Sequence, residues 1–276
     1  MPIHQTAIVD PIASIDASAT IGPFVVVEGP VQIGAGTVTG PGCHLLGHTT
    51  IGKNSRIHAR GSIGDFPQDR DYGGEESYCE IGPDCIIREG VTIHRATGEG
   101  EGTTVGPRCM LMTSSHVAHN CSLGADVTLV SGALLGGHVQ VGDQAVIGGN
   151  VGVHQFVRIG KLAMIGAVAM ISQDIPPFML TDHFGHVVGV NQIGLRRAGL
   201  SPAARSEVKA AFRVLYREGH TPKEGFAFLT EQLWCDALDP LLAFWRDDTA
   251  RGVSTRARSH RKVADSQPMI CDLQKL

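Results

Sequence analysis

Aliphatic residues recur along this chain at a fixed interval of six. Ile, Val or Leu stands at every sixth position from Ile3 to Ile63, with Thr39 the one exception, then again from Ile81 to Ile93 and from Val105 to Ile171. A helix repeats its buried face every ~3.6 residues and a half-buried strand every ~2, so neither produces this beat. A coil of short parallel strands does, because each of its three flat sides consumes one hexad. The position four after each stop is also small or aliphatic, as in Ala19, Val25, Val31, Thr37, Val91, Val127, Ala133, Val139, Ala145, Val151 and Val157. Stop and stop-plus-four therefore point inward together. Cys43, Cys85, Cys109 and Cys121 fall on that second inward position and read as small core residues. Gly follows the stop at positions 22, 34, 52, 64, 82, 106, 124, 136, 142, 148, 160 and 166, which predicts corners turned with φ often positive.

The pattern predicts an all-β solenoid over residues 1–177 with two polar excursions, 65–80 (DFPQDRDYGGEESYCE) and 95–104 (RATGEGEGTT). A solenoid loses burial wherever it loops out, and excursions of this composition serve a partner or a ligand. The beat ends at Ser172 to Pro177 (SQDIPP), where paired prolines forbid a continued ladder. A connector over 178–199 then leads to a small α-helical C-terminal domain over 200–252. Ser201 is placed as an N-cap with Pro202 at the first helical position, and Thr221 to Glu224 form a capping box. A third helix is expected over Asp239 to Arg251. The tail, 253–276, mixes Arg256, Arg258, Arg261 and Lys262 with little apolar content and is expected to be poorly ordered.

Composition narrows the class. The chain has 276 residues, 18% of them charged, and a net charge of −4, which fits one large domain with an appendage and gives no basic footing for nucleic acid. No apolar run approaches the roughly 18 residues needed to span a bilayer, and the N-terminus lacks a basic segment followed by an apolar one. A cytoplasmic protein without stable membrane insertion is expected. Seven cysteines without CxxC pairs fit a reducing compartment better than a disulfide framework.

Chemistry on such a scaffold has to come from outward side chains at matching heights. Three hexads make one coil, so equivalent residues on successive coils lie roughly 4.8 Å apart along the axis. His119, His138 and His154 follow the stops Val117, Leu135 and Val153, which are spaced by 18. This spacing predicts a ladder of three imidazoles, with His116 beside it and Gln155 next to the third ring. An imidazole titrates near neutrality and can take the proton from a hydroxyl as it attacks a carbonyl, so a general base is the natural role. Zinc is the rival, but it needs its ligand nitrogens converging on one point, whereas a ladder spreads them along a line. No metal is expected.

At these residues the sequence resembles the UDP-N-acetylglucosamine O-acyltransferases that begin lipid A synthesis. The shared stretches are IHR (93–95), LMTSSHVAHNC (111–121), GGHV (136–139), VHQF (153–156), QDIPP (173–177) and GVNQIGL (189–195). The resemblance implies a left-handed parallel β-helix of hexapeptide repeats, assembled as a homotrimer. It implies transfer of a 3-hydroxyacyl chain from acyl carrier protein to the 3-position of a UDP-sugar, with the carrier thioester as co-substrate and no cofactor. By the same resemblance His119 is the general base, Asn120 stands where relatives often carry Asp to orient it, and the Gly137 N–H receives the developing oxyanion. His116, His138, His154 and Gln155 are contacts to the sugar and pantetheine, Asp69 contacts the donor-nucleotide sugar, and Asn191 and Arg197 lie at the nucleotide end. Ala167 falls where the family sets acyl-chain length, and Arg196, Arg197, Arg205, Lys209, Arg213 and Arg217 form a basic patch suited to an acidic carrier protein.

The chain departs from the family pattern at Asp71, where a basic residue is usual, although Arg70 is adjacent. It departs again at Ile193, where Glu is usual. These changes leave open a variant acceptor with an amine in place of the 3-hydroxyl. Three other readings remain: a coenzyme A-dependent hexapeptide-repeat acetyltransferase acting on another sugar nucleotide, the related N-acyltransferase with its separate N-terminal domain, and a non-catalytic scaffold. The beat beginning at Ile3 weighs against the N-acyltransferase, and the scaffold predicts that His119→Ala changes nothing measurable.

Overall fold

The computed structural model describes residues 3–247 and 249–254. Its strands fall into three sheets that form the sides of a prism. The first sheet has nine strands, from Ile8–Val9 to Met170–Ile171; the second has eight, from Ser14–Ile15 to Arg158–Ile159. The third has ten and starts at Thr20–Ile21. The chain visits the sheets in that order, one short strand each, and up to Ile171 every strand pairs in parallel with its equivalent on the next coil. His116, Leu134, Gly152 and Met170 thus lie in one column of the first sheet.

Stops and stop-plus-four residues fill the prism. Ile21, Leu45, Ile63, Leu111, Leu135 and Ile165 are sealed, as are Ala19, Val91, Val127 and Val157. Each sealed aliphatic side chain contributes about 1.5–3 kcal/mol of burial, which is how strands of two residues persist. At several polar second inward positions the donor reaches a corner carbonyl of the next coil. Thr37 Oγ1 donates to the Gly52 carbonyl at 2.9 Å, and the thiols of Cys43, Cys85, Cys109 and Cys121 donate to the carbonyls of His58, Gly106, Gly124 and Gly136 at 3.0–3.2 Å. These cysteines are core residues, as expected, and each also satisfies a backbone acceptor. Thr39, the odd stop, is buried with its hydroxyl accepting from the Gly22 N–H.

The corner glycines need a correction. Of those expected to turn with positive φ, only Gly64 does so (80°). The left-handed residues sit three positions past the stop instead and are mostly not glycine: Asn54, Arg108, Asn120, His138, Phe156 and Val168 have φ between 57° and 66°. Glycine follows the stop because the next coil's backbone passes too close for a side chain. A Cβ on Gly52 would lie 2.5 Å from Pro83 N, and one on Gly142 would lie 2.5 Å from Lys161 N.

The strands flanking the two excursions extend to Asp65, from Tyr78 and from Gly102, so the irregular stretches are 66–77 and 95–101. They are fastened together. Glu75 accepts from the N–H groups of Gly73 and Gly98, both at 2.8 Å, and the Glu76 carbonyl accepts from the Gly100 N–H at 2.8 Å. The Arg95 guanidinium lies over the Phe66 ring, 4.2 Å from its centroid.

After the prolines, Met179–Thr181 extends the third sheet and Val187–Val190 pairs with it antiparallel. Four α-helices follow among the described residues: α1 (Gln192–Arg197), α2 (Pro202–Tyr216), α3 (Pro222–Thr230) and α4 (Asp239–Arg246). Ser201 caps α2 and the Thr221–Glu224 capping box opens α3, both as the sequence indicates. The third expected helix is shorter than predicted. It stops at Arg246, and the chain leaves it to run back to the solenoid, where Asp174 N donates to the Gly252 carbonyl and Ser254 N to the Asp174 carbonyl, both at 2.8 Å. All but the first two residues of the 253–276 tail lie outside the described residues.

Candidate functional site

The corner between the first and second sheets gathers most of the candidate site residues. On three successive coils it presents Ala118-His119-Asn120, Gly136-Gly137-His138 and His154-Gln155-Phe156, following the stops Val117, Leu135 and Val153. The three histidines occupy different columns: His154 is one past its stop, His119 two and His138 three. The expected ladder of three stacked imidazoles is therefore not what the coil builds. His119 and His138 meet edge to face with ring centroids 5.3 Å apart, but the ring stacked on His138 belongs to Phe156, at 4.6 Å and 14°. His154 turns to Arg251, whose guanidinium lies 2.6 Å from its Nδ1. Counting each residue's offset from its stop, rather than the spacing of the stops, would have placed Asn120, His138 and Phe156 in one column.

His119 is held from both sides of its ring. Its Nδ1 lies 2.9 Å from Asn120 Oδ1. The Asn120 amide is itself oriented by the backbone of Thr97, with Oδ1 accepting from Thr97 N at 2.9 Å and Nδ2 donating to Thr97 O at 3.0 Å. An acceptor facing Nδ1 requires the proton there, which leaves the Nε2 lone pair free. Nε2 faces Gly137: a Cβ at that residue would lie 2.5 Å from it. The Gly137 N–H has no hydrogen-bond partner among the described residues, whereas its neighbours Gly136 and His138 both donate to backbone carbonyls. Asp69, carried in by the first excursion, sets its Oδ2 3.9 Å from His119 Nδ1.

The charges around this corner are tuned by their neighbours. The Asp71 N–H, donating to Asp69 at 3.1 Å, pulls the Asp69 carboxyl below its usual range, and the imidazoles of His119 and His138 act in the same direction. Burial lowers His138, with His119 adding repulsion. His116 is pulled down to about 4, chiefly by burial and then by His94 and His119. His94, which the sequence pattern does not single out, is buried and packs edge to face on His116 at 5.0 Å. The His116 Nδ1 bonds Thr92 Oγ1 at 2.7 Å. Among the described residues no three His, Cys, Asp or Glu side chains are grouped to hold a metal ion.

Other expected site residues lie elsewhere on the chain. Asn191 caps α1 and, with Arg197, lines a groove of about 620 Å³ against Val146, Met164 and Leu180 of the third sheet. Ala167 is exposed at the corner between the third and first sheets. Within one chain these three do not join His119. In the basic patch Arg196, Arg197, Lys209, Arg213 and Arg217 are exposed, while Arg205 is half-buried with its guanidinium on the Leu200 carbonyl.

Comparison with known proteins identifies the family. The family model described as UDP-N-acetylglucosamine O-acyltransferase, domain 2, matches residues 174–254, and a bacterial transferase hexapeptide model matches 30–65. The acyl-[acyl-carrier-protein]–UDP-N-acetylglucosamine O-acyltransferase of Alkalilimnicola ehrlichii is 46% identical over 219 residues, 79% of this chain and 85% of that one. Its counterpart in Rhizobium johnstonii is 33% identical over 271 residues, 91% of this chain and 100% of the relative. The crystal structure of the Francisella novicida UDP-N-acetylglucosamine acyltransferase superposes with a TM-score of 0.88 at 38% identity, covering 92% of this chain and 94% of that one. The prism is thus a left-handed parallel β-helix with a helical C-terminal domain. On these grounds the chain belongs to the UDP-N-acetylglucosamine O-acyltransferase family.

Proposed function

We propose that this protein is an acyltransferase that moves a 3-hydroxyacyl chain from acyl carrier protein to the 3-position of UDP-N-acetylglucosamine, the first step of lipid A synthesis. The single observation that carries the mechanism is the pairing of His119 Nε2, its lone pair free, with the bare backbone of Gly137. Nε2 removes the proton from the attacking 3-hydroxyl, the oxygen adds to the thioester carbonyl, and the Gly137 N–H receives the resulting oxyanion. Collapse of that intermediate expels the carrier thiolate, which takes up the proton from the imidazolium. Asn120 cannot offset the imidazolium charge, but the Asp69 carboxylate at 3.9 Å can, so the charge comes from the excursion loop instead of the neighbouring residue.

Asn191 and Arg197 would reach the nucleotide diphosphate from a neighbouring copy. Their groove opens on the third sheet, away from His119, which favours the homotrimer. The exposed arginines and lysine of α1 and α2 suit an acidic carrier protein, and Ala167 would limit the acyl chain to medium length. No cofactor is needed beyond the carrier thioester. No described helix is long and apolar enough to cross a membrane, and the buried, unpaired cysteines favour the cytoplasm.

Incubating the trimer-sized species with UDP-N-acetylglucosamine, its 3-amino analogue and carrier thioesters of several lengths, then reading product masses, tests the reading. An acylated UDP-sugar is expected, with His119→Ala lowering turnover at least roughly 100-fold. A His119→Ala protein as active as the parent would remove His119 as the base.

A further inference from the structure

The strap leaving α4 ends on the site. Arg251, expected to close that helix, instead reaches across to the solenoid corner, where its Nε donates to the Gln155 carbonyl at 2.8 Å and its Nη2 lies 2.6 Å from His154 Nδ1. The strap is anchored around this contact. Gly252 and Ser254 pair with the backbone of Asp174, whose sealed carboxylate accepts from Arg158 N and Nε, both at 2.8 Å. Arg158 in turn lies over the Phe244 ring of α4, 4.4 Å from its centroid. The helical domain and the last solenoid coils are thus tied together at the position that fixes Arg251.

His154 Nδ1 has two polar neighbours, the Arg251 guanidinium at 2.6 Å and the Gln155 carbonyl at 3.3 Å, and that carbonyl already accepts from Arg251 Nε at 2.8 Å. A guanidinium has five donors and no acceptor, so the shorter contact sets the tautomer and the His154 nitrogen it meets carries the lone pair. That assigns the hydrogen of His154 to Nε2, opposite to the tautomer Asn120 selects in His119. We propose that Arg251 is a positioning residue: it locks His154 as the Nε2–H tautomer and fixes its ring, so that His154 serves the reaction as a hydrogen-bond donor to substrate and not as a second base. The same guanidinium pins the Gln155 backbone, so two neighbouring site residues are set by one side chain from another domain. The inference deepens the acyltransferase reading and rests on it for the role of His154, though the tautomer itself does not depend on activity.

Two measurements separate these parts. Long-range proton–nitrogen NMR of the full chain labelled at histidine, with His154→Gln identifying the signal, is expected to show His154 protonated at Nε2. In Arg251→Met both tautomers should appear, and Arg251→Lys should largely restore the parent pattern. A His154 that carries its proton on Nδ1 in the parent, or keeps one tautomer in Arg251→Met, overturns the proposal whether or not the protein transfers acyl chains. In the transfer assay Arg251→Met should lower kcat/KM roughly 10-fold, in line with a displaced contact group. That loss should disappear when the same change is made in His154→Gln, because the two act as a unit. An equal loss in both backgrounds would mean that Arg251 merely supports the fold.

Discussion

Asn120 stands at a left-handed φ of 57°, which Asn tolerates better than most residues, and both atoms of its amide are engaged by neighbours. Oδ1 serves His119 and Thr97 N, while Nδ2 serves Thr97 O. An aspartate here would place a second oxygen against the Thr97 carbonyl. Asn120→Asp is therefore expected to lose about 1 kcal/mol of stability, the cost of a half-buried carbonyl deprived of its donor, visible as a lower urea midpoint. An unchanged midpoint would mean that Thr97 moves to accommodate the charge. The sequence names Asn120 and its divergence readily; the partner that makes Asn the better fit is 23 residues away on an excursion loop, so no local pattern reveals it.

Among the elements, the corners determine where the site can form. The residue after the stop is squeezed against the next coil, so that position demands glycine for space, while the residue three past the stop is left-handed and mostly carries a side chain at the cost of strain. Gly142→Ala should cost about 1–3 kcal/mol, since its Cβ meets the Lys161 backbone at 2.5 Å. Val168→Gly should do the reverse. This exposed, β-branched residue holds φ at 61°, a strain of about 1–2 kcal/mol, against which glycine's extra chain entropy of about 0.5–1 kcal/mol is the smaller effect. Denaturant midpoints moving in opposite directions for the two variants would check this; movement in the same direction would refute it. The hexad pattern reveals that glycine is needed at the corners but not why, because the clash is with a strand 15 or more residues along the chain.

On the scale of the whole molecule, acid should weaken the fold through the buried imidazoles. His116 titrates at about 4 in the folded chain against 6.5 when unfolded. Between those values the unfolded chain binds the extra proton, so stability is full above 6.5 and declines as the pH falls toward 4. The loss attributable to this one group is on the order of 3 kcal/mol at most. Unfolding midpoints of the parent should drop across that window, and His116→Gln should flatten the decline; an equally steep decline in the variant would assign it to other groups.

The period of six, read with no structure, determined the prism, its inward positions, the excursions and the corner that bears His119, because burial repeats with the coil and leaves its mark on every stop. The helix caps at Ser201 and Thr221 were equally plain, being satisfied within four residues. Tertiary structure alone decided which ring stacks on His138, what supplies negative charge to His119, and where Arg251 goes. Phe156, Asp69 and Arg251 reach the site through a neighbouring coil, a loop and a returning strap, and contacts made across such distances are set by how the pieces pack, not by spacing along the chain.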